Sequence, residues 1–169
     1  MNRWLRIVKH RWHDESDARR ALGREALDRL RQRIAASERT HGGEIRVCIE
    51  AGLPLSYLWR GASARERALA MFGKLGVWDT DANNGVLIYL LLADHSIEIV
   101  ADRGLSRRVA PGHWEAITAG MRDAFRAGRF EEGLNDAVDV VTQSLREHFP
   151  LAAGDANPNE LPDTLVVMR

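Results

Sequence analysis

Residues 86–92, VLIYLLL, leave a folding chain few choices. Apolar side chains occupy both parities of the run and part of it is β-branched or aromatic, so it reads as a strand buried on two faces. Such a strand needs a layer above it and a layer below it, which a chain of 169 residues supplies within one domain. The polar turn Ala93-Asp94-His95-Ser96 and the second run at 97–101 complete an antiparallel hairpin.

The covering layers are visible as helical periodicity. From 14 to 38, Ala18, Leu22, Ala26, Leu27, Leu30 and Ile34 form one stripe, which His41-Gly42-Gly43 terminates. At 44–50, EIRVCIE alternates Ile45, Val47 and Ile49 with Glu44, Arg46 and Glu50, predicting a strand with one buried face. Ser63-Ala-Arg-Glu66 is a capping box that opens a helix over 64–75, with Ala68, Leu69 and Phe72 inward and Gly76 as the stop. Trp114, Ile117, Met121 and Phe125, then Phe130, Leu134, Val138, Val141 and Leu145, mark two further helices broken at Gly128 and closed by Pro150. The tail, 151–169, is loop-like except for a short strand at 164–168. This order predicts an α/β fold, a small mixed sheet flanked by helices, with a basic amphipathic segment at 1–13, the domain at 14–150 and the tail after it.

Composition excludes several functions. Twenty-four basic and twenty-four acidic residues give no net charge, so nucleic acid is not an expected partner. Cys48 is alone and forms no intrachain disulfide, and Pro54 rules out the Cys-x5-Arg phosphatase loop. The longest apolar run, 85–93, is far shorter than the roughly 18 residues of a membrane span. The first residues lack the apolar core of a secretory signal. A cytoplasmic location is expected, with room for peripheral attachment at the inner membrane. Residues 1–13 carry Arg3, Arg6, Lys9 and Arg11 among Trp4, Leu5, Ile7, Val8 and Trp12. That pattern suits an anionic membrane surface or a protein partner, or else a first helix or strand packing its tryptophans on the core.

Chemistry concentrates at the open end of the hairpin. With the turn centred between Asp94 and His95, Leu87 faces Asp102 and Val86 faces Arg103, so Asp79, Asp81, Asn83 and Asn84 gather beside them. Three carboxylates and two carboxamides repel one another unless a cation or an arginine neutralises them, and such oxygens suit Ca²⁺ or Mg²⁺. Ordinary turn chemistry is the other reading of the same residues. An EF-hand is excluded, because its glycine falls one place late at Gly85 and its last ligand position is Leu90. Glu38, His41 and Glu44 form a second polar group, either an acid/base pair or a helix end running into a strand. His95 is expected in solvent, and no P-loop, GxSxG, HExxH or CxxC pattern occurs.

The segment NNGVLIYLLLADHSIEIVADRGL, preceded by a helix ending in glycine and followed by FRAGRFEEGLNDAVDVV, resembles the TPM domain. That family includes a thylakoid-lumen phosphatase, a photosystem II repair factor and a receptor-associated worm membrane protein. The most specific matches are Asn84-Gly85-Val86-Leu87 and Gly128-Arg129-Phe130-Glu131-Glu132-Gly133. Val77-Trp78-Asp79-Thr80, Ala101-Asp102-Arg103-Gly104, His148-Phe149-Pro150 and Asn159-Glu160-Leu161-Pro162 resemble a bacterial branch. The resemblance implies a three-layer α/β/α sandwich and, for some members, a bound divalent cation, usually calcium, with weak acid-phosphatase activity. Carried over, Asp79, Asp81, Asn84 and Asp102 match the cation site. A metal-assisted phosphohydrolase would then use Asp102 or Asp81 on a water and Arg103 on phosphoryl charge. The competing function is a non-catalytic interaction module with any cation structural, presenting Trp4, Trp12, Tyr57, Leu58 and a loop-borne Trp59.

Overall fold

Two parallel strands, β1 (Glu44–Glu50) and β2 (Gly85–Leu91), run side by side with Glu44 opposite Gly85 and Glu50 opposite Leu91, and every residue of both is buried. The computed structural model describes residues 3–13, 15–152, 154–162 and 164–168. Antiparallel β3 (Ser96–Ala101) flanks β2, while β4 (Val166–Met168) lies parallel to β1, giving the order β3-β2-β1-β4.

Helices cover both faces, because each strand sends alternate side chains to opposite sides. On one face Ile45, Val47, Ile49, Val86, Ile88 and Leu90 form a core with residues of α2 (Glu15–Glu38), α6 (His113–Arg126) and α7 (Phe130–His148). On the other, Cys48, Leu87, Tyr89 and Leu91 pack on Leu58 of α3 (Leu55–Trp59), Ala68 and Met71 of α4 (Ala64–Lys74), and Leu161 of the tail. The three-layer α/β/α sandwich follows. Asp14, the expected helix start, and the side chain of Ala18 lie outside the described residues. Within α2 the backbone breaks at Gly23, whose φ of 63° is one that glycine adopts without strain. The capping box at Ser63 and Glu66 forms as expected.

Five expectations need correction. β1 has no solvent face: Glu44, Arg46 and Glu50 are buried, because α4 and the tail cover the side on which alternation predicts water. Protein groups replace that water. Glu50 meets Arg67, the Arg46 guanidinium donates to the carbonyls of Pro162 and Thr164, and a Glu44 carboxylate oxygen accepts from the Leu161 amide at 3.3 Å. The hairpin register also differs, with Leu87 opposite Val100 and Val86 opposite Ala101, since the turn starts at Leu92 rather than Ala93. Leu69 is exposed, because α4 points Arg67, Ala68 and Met71 inward. Trp59 sits on a short helix, and Trp4 and Trp12 of α1 (Arg3–Trp12) lie outside the core at 60% and 83% exposure. His95 is half-buried, its ring 5.4 Å from Phe130. Among the described residues no helix is long and apolar enough to cross a membrane.

Candidate functional site

At the end of the sheet where β1 and β2 begin and β3 finishes, the turn before β2 meets the start of α5 (Arg103–Ser106). Asn84 is 2% exposed. Its amide nitrogen Nδ2 donates to the Gly42 carbonyl at 2.7 Å and its backbone N–H donates to the Thr80 hydroxyl at 3.1 Å. Asp102 follows β3, and its backbone N–H donates to the Gly85 carbonyl at 2.9 Å. Its Oδ1 accepts from the Arg103 backbone amide at 2.6 Å and caps α5.

Two oxygens are left over. Asn84 Oδ1 and Asp102 Oδ2 are buried and find no hydrogen-bond partner among the described residues. Each such group costs about 1–3 kcal/mol, more when charged, unless a ligand or an ordered water takes it up, so the pair marks this end of the sheet as a candidate site. Glycine is required beside them: a Cβ on Gly104 would stand 2.4 Å from the carbonyl oxygens of both Ala82 and Asn83. The Gly104 amide instead donates to the Asn83 carbonyl at 2.8 Å, with Asn83 in the left-handed region at φ 51°. Asparagine tolerates that conformation better than most residues.

A cleft of about 410 Å³ opens next to this turn, lined by Ala82, Asn83, Arg103, Gly104, Arg107 and Arg108. Arg108 is held in place, donating to the His148 carbonyl and lying 4.4 Å over the Phe149 ring. Arg103 and Arg107 are exposed and make no ion pair among the described residues. The cleft is therefore cationic and suits an anion.

The structure thus brings Asn83, Asn84, Asp102 and Arg103 to one place and puts Asp79 and Asp81 on the exposed part of the same turn. The Asp81 amide is fixed by Glu160, whose carboxylate accepts from it at 2.8 Å. Among the described residues no group of three or more His, Cys, Asp or Glu is placed to hold a metal ion. Sequence reasoning missed Arg107 and Arg108, although the run Arg103-Gly104-Leu105-Ser106-Arg107-Arg108 spaces three cations over little more than one helical turn.

Glu38, His41 and Glu44 form the helix-to-strand junction. His41 is fully buried, with Nε2 2.8 Å from the Ser37 hydroxyl and Nδ1 against the backbone of Gly43. Burial pushes its imidazole down to about 4, so the ring is neutral. A Glu38 carboxylate oxygen accepts from the Ile45 amide at 2.9 Å. These groups tie α2 to β1.

A further polar cluster, unannounced in the sequence, lies at the opposite end of β1. Arg67 donates to both oxygens of Glu50 at 2.7 and 2.9 Å, and the Tyr89 hydroxyl donates to Glu50 at 2.5 Å. Burial, reinforced by Glu50, raises the Tyr89 phenol above its ordinary value and the Cys48 thiol to about 12. Both stay protonated.

Comparison with known proteins places these features in context. The model of the TPM domain matches residues 16–144. The chain is similar to the BA42 protein of the psychrophilic bacterium Bizionia argentinensis, with a TM-score of 0.72, 28% identity, and coverage of 86% of this chain and 94% of that one. It is also similar in fold to the N-terminal domain of a protein from P. gingivalis, with a TM-score of 0.61, 24% identity, and coverage of 78% and 82% respectively. Among curated proteins none matches.

Proposed function

The chain belongs to the TPM domain family, and on that premise we propose that it is a divalent-cation-binding, phosphatase-like protein whose site is the foot of the β2–β3 hairpin. The observation that carries the reading is the pair of buried oxygens without partners, Asn84 Oδ1 and Asp102 Oδ2, beside an arginine-lined cleft. Asn84 and Asp102 would hold the cation, with Asp79, Asp81 and Asn83 supplying further oxygens from the turn. An all-oxygen set suits Ca²⁺ or Mg²⁺ and excludes softer metals. When bound, the cation supplies Lewis acidity toward a phosphoryl oxygen.

The chain's own groups divide the remaining work. Asp102 Oδ1 is occupied by the Arg103 amide, so Oδ2 is the atom left to act: it would either hold the cation or, with the cation held by Asn84 and the turn, accept a proton from a water. Asp81, at the exposed rim, is the alternative base. Arg103 and Arg107 offer charge-assisted hydrogen bonds to phosphate oxygens, with Arg108 as a fixed third cation.

Calorimetric titration of EDTA-treated protein with Ca²⁺ and with Mg²⁺, paired with hydrolysis of p-nitrophenyl phosphate, tests this reading. Asp102→Asn keeps a capping oxygen and removes the charge, so saturable binding and turnover should both disappear while the fold persists. Wild-type protein that is folded yet binds neither ion would end the proposal. The non-catalytic reading retains one supporting observation, the exposed aromatics of α1 and α3.

A further inference from the structure

α1 is mounted with its polar side inward. His10 is 3% exposed, accepting the Leu53 amide on Nδ1 at 3.1 Å and donating from Nε2 to Asp94 Oδ1 at 3.0 Å. Arg6 reaches the other Asp94 oxygen at 3.2 Å and Lys9 approaches at 3.9 Å. Burial works against the Asp94 charge, but His10 and Arg6 hold its carboxyl down to about 2. The backbones also meet closely, since a Cβ on Gly52 would lie 2.6 Å from the His10 carbonyl oxygen. The helix is thus locked to the hairpin turn and to the segment before α3.

That anchoring turns the apolar stripe of α1 toward solvent. Trp4, Leu5, Val8 and Trp12 share the outer face and are 51–83% exposed, and α3 adds Leu55 and Trp59 at 54% and 57%. Trp4 and Trp59 stand edge to face at 6.1 Å, joining the two helices into one patch. These six are most of the eight exposed large hydrophobic residues among the described ones, so the patch is concentrated rather than scattered. Its rim is cationic: Lys9, Arg11 and Arg60 are exposed, and neither 1–13 nor 51–65 contains an acidic residue.

We infer that this patch is a docking surface for an anionic lipid bilayer. Tryptophan belongs at the boundary between headgroups and acyl chains, Leu and Val enter below it, and lysine and arginine meet lipid phosphates at the level of the ring nitrogens. An interface with another protein also uses aromatic residues, but helices that carry exposed cations and no acid of their own, with the neighbouring Asp94 already paired by Arg6 and His10, favour a surface that is anionic over its whole extent. A bilayer of acidic phospholipids has that property.

Flotation of the full chain with vesicles of equal parts phosphatidylglycerol and phosphatidylcholine tests the inference, alongside vesicles of phosphatidylcholine alone and far-UV circular dichroism of each variant. The expected result is binding to the anionic vesicles, at least about tenfold weaker binding to neutral ones, and loss of binding in the Trp4→Ala/Trp12→Ala double variant. Arg11→Glu/Arg60→Glu should weaken binding to anionic vesicles while leaving the Asp94 anchor intact. No association with anionic vesicles would overturn the inference, as would equal binding of the folded tryptophan variant. A lipid-independent dimer in sedimentation, abolished by Trp12→Ala and accompanied by no flotation, would assign the patch to a second copy of the chain and overturn it equally.

Discussion

The two ends of the central strands carry polar groups of similar number and opposite character. At the last residue of β1, Glu50, Arg67 and Tyr89 close on one another: the carboxylate accepts three hydrogen bonds from Arg67 and one from the Tyr89 hydroxyl, and it is fully buried. At the first residues of β1 and β2, Asn84 and Asp102 are buried as deeply, yet each keeps one oxygen without a partner and a cationic cleft opens alongside. Burial does not distinguish these two clusters; completeness of hydrogen bonding does. A closed network specifies packing, whereas an open one stores a cost that a ligand or an ordered water can offset.

The comparison is broken most forcefully at the closed end. Arg67→Ala leaves the Glu50 carboxylate buried and uncompensated, and should cost about 3–5 kcal/mol in urea unfolding. A loss below about 1 kcal/mol would mean that water reaches Glu50 and that the two ends do not differ in closure.

His41 gives the next largest effect, in a part of the open end that is itself closed. Its folded value of about 4 lies below the ordinary 6.5, so the unfolded chain binds more protons between those values. Stability contributed by the neutral ring is complete above about pH 6.5 and is lost as pH falls toward 4, by about 3 kcal/mol in total. Urea titrations across that window should show the slope in wild type and lose it in His41→Gln. Asp94, held near 2, contributes its own loss only at lower pH.

Gly104→Ala sharpens the picture at the cleft. The added methyl meets two backbone carbonyls that cannot yield independently, so we expect about 1–3 kcal/mol of destabilisation together with reduced cation binding. Asp102→Asn should have the smallest effect on stability, under about 1 kcal/mol, because the cap oxygen survives while a buried charge disappears. Calorimetry of Ca²⁺ or Mg²⁺ binding on the same protein should show complete loss. A variant that lost as much stability as Arg67→Ala would place Asp102 with the structural residues.

Much of this was legible before the fold was known. The two-sided burial of β2, the Ser63 capping box, the Gly128 break and the tail strand all appear where pattern predicts them. The hairpin was legible, but its register was not, because the polar run from Ala93 to Ser96 admits more than one turn. That shift placed Asp102 opposite Leu87, whereas it lies beyond the last strand pair and bonds to Gly85. The alternation of β1 predicted a wet face, and the face is dry because partners from α4 and the tail reach it. Asp79 and Asp81 stand out in the sequence as an acidic pair, while the unsatisfied oxygens at this turn belong to Asn84 and Asp102.

The sequence by itself determined which segments become strands and helices, since periodicity, capping and glycine stops act over a few residues. Only the tertiary structure decided which polar groups close and which stay open. Their partners lie far along the chain, 17 residues away for Glu50 with Arg67 and 117 for Glu44 with Leu161. A buried polar atom has no local signature of satisfaction, because the energy of desolvating it is set by whatever the remaining chain brings within hydrogen-bonding reach.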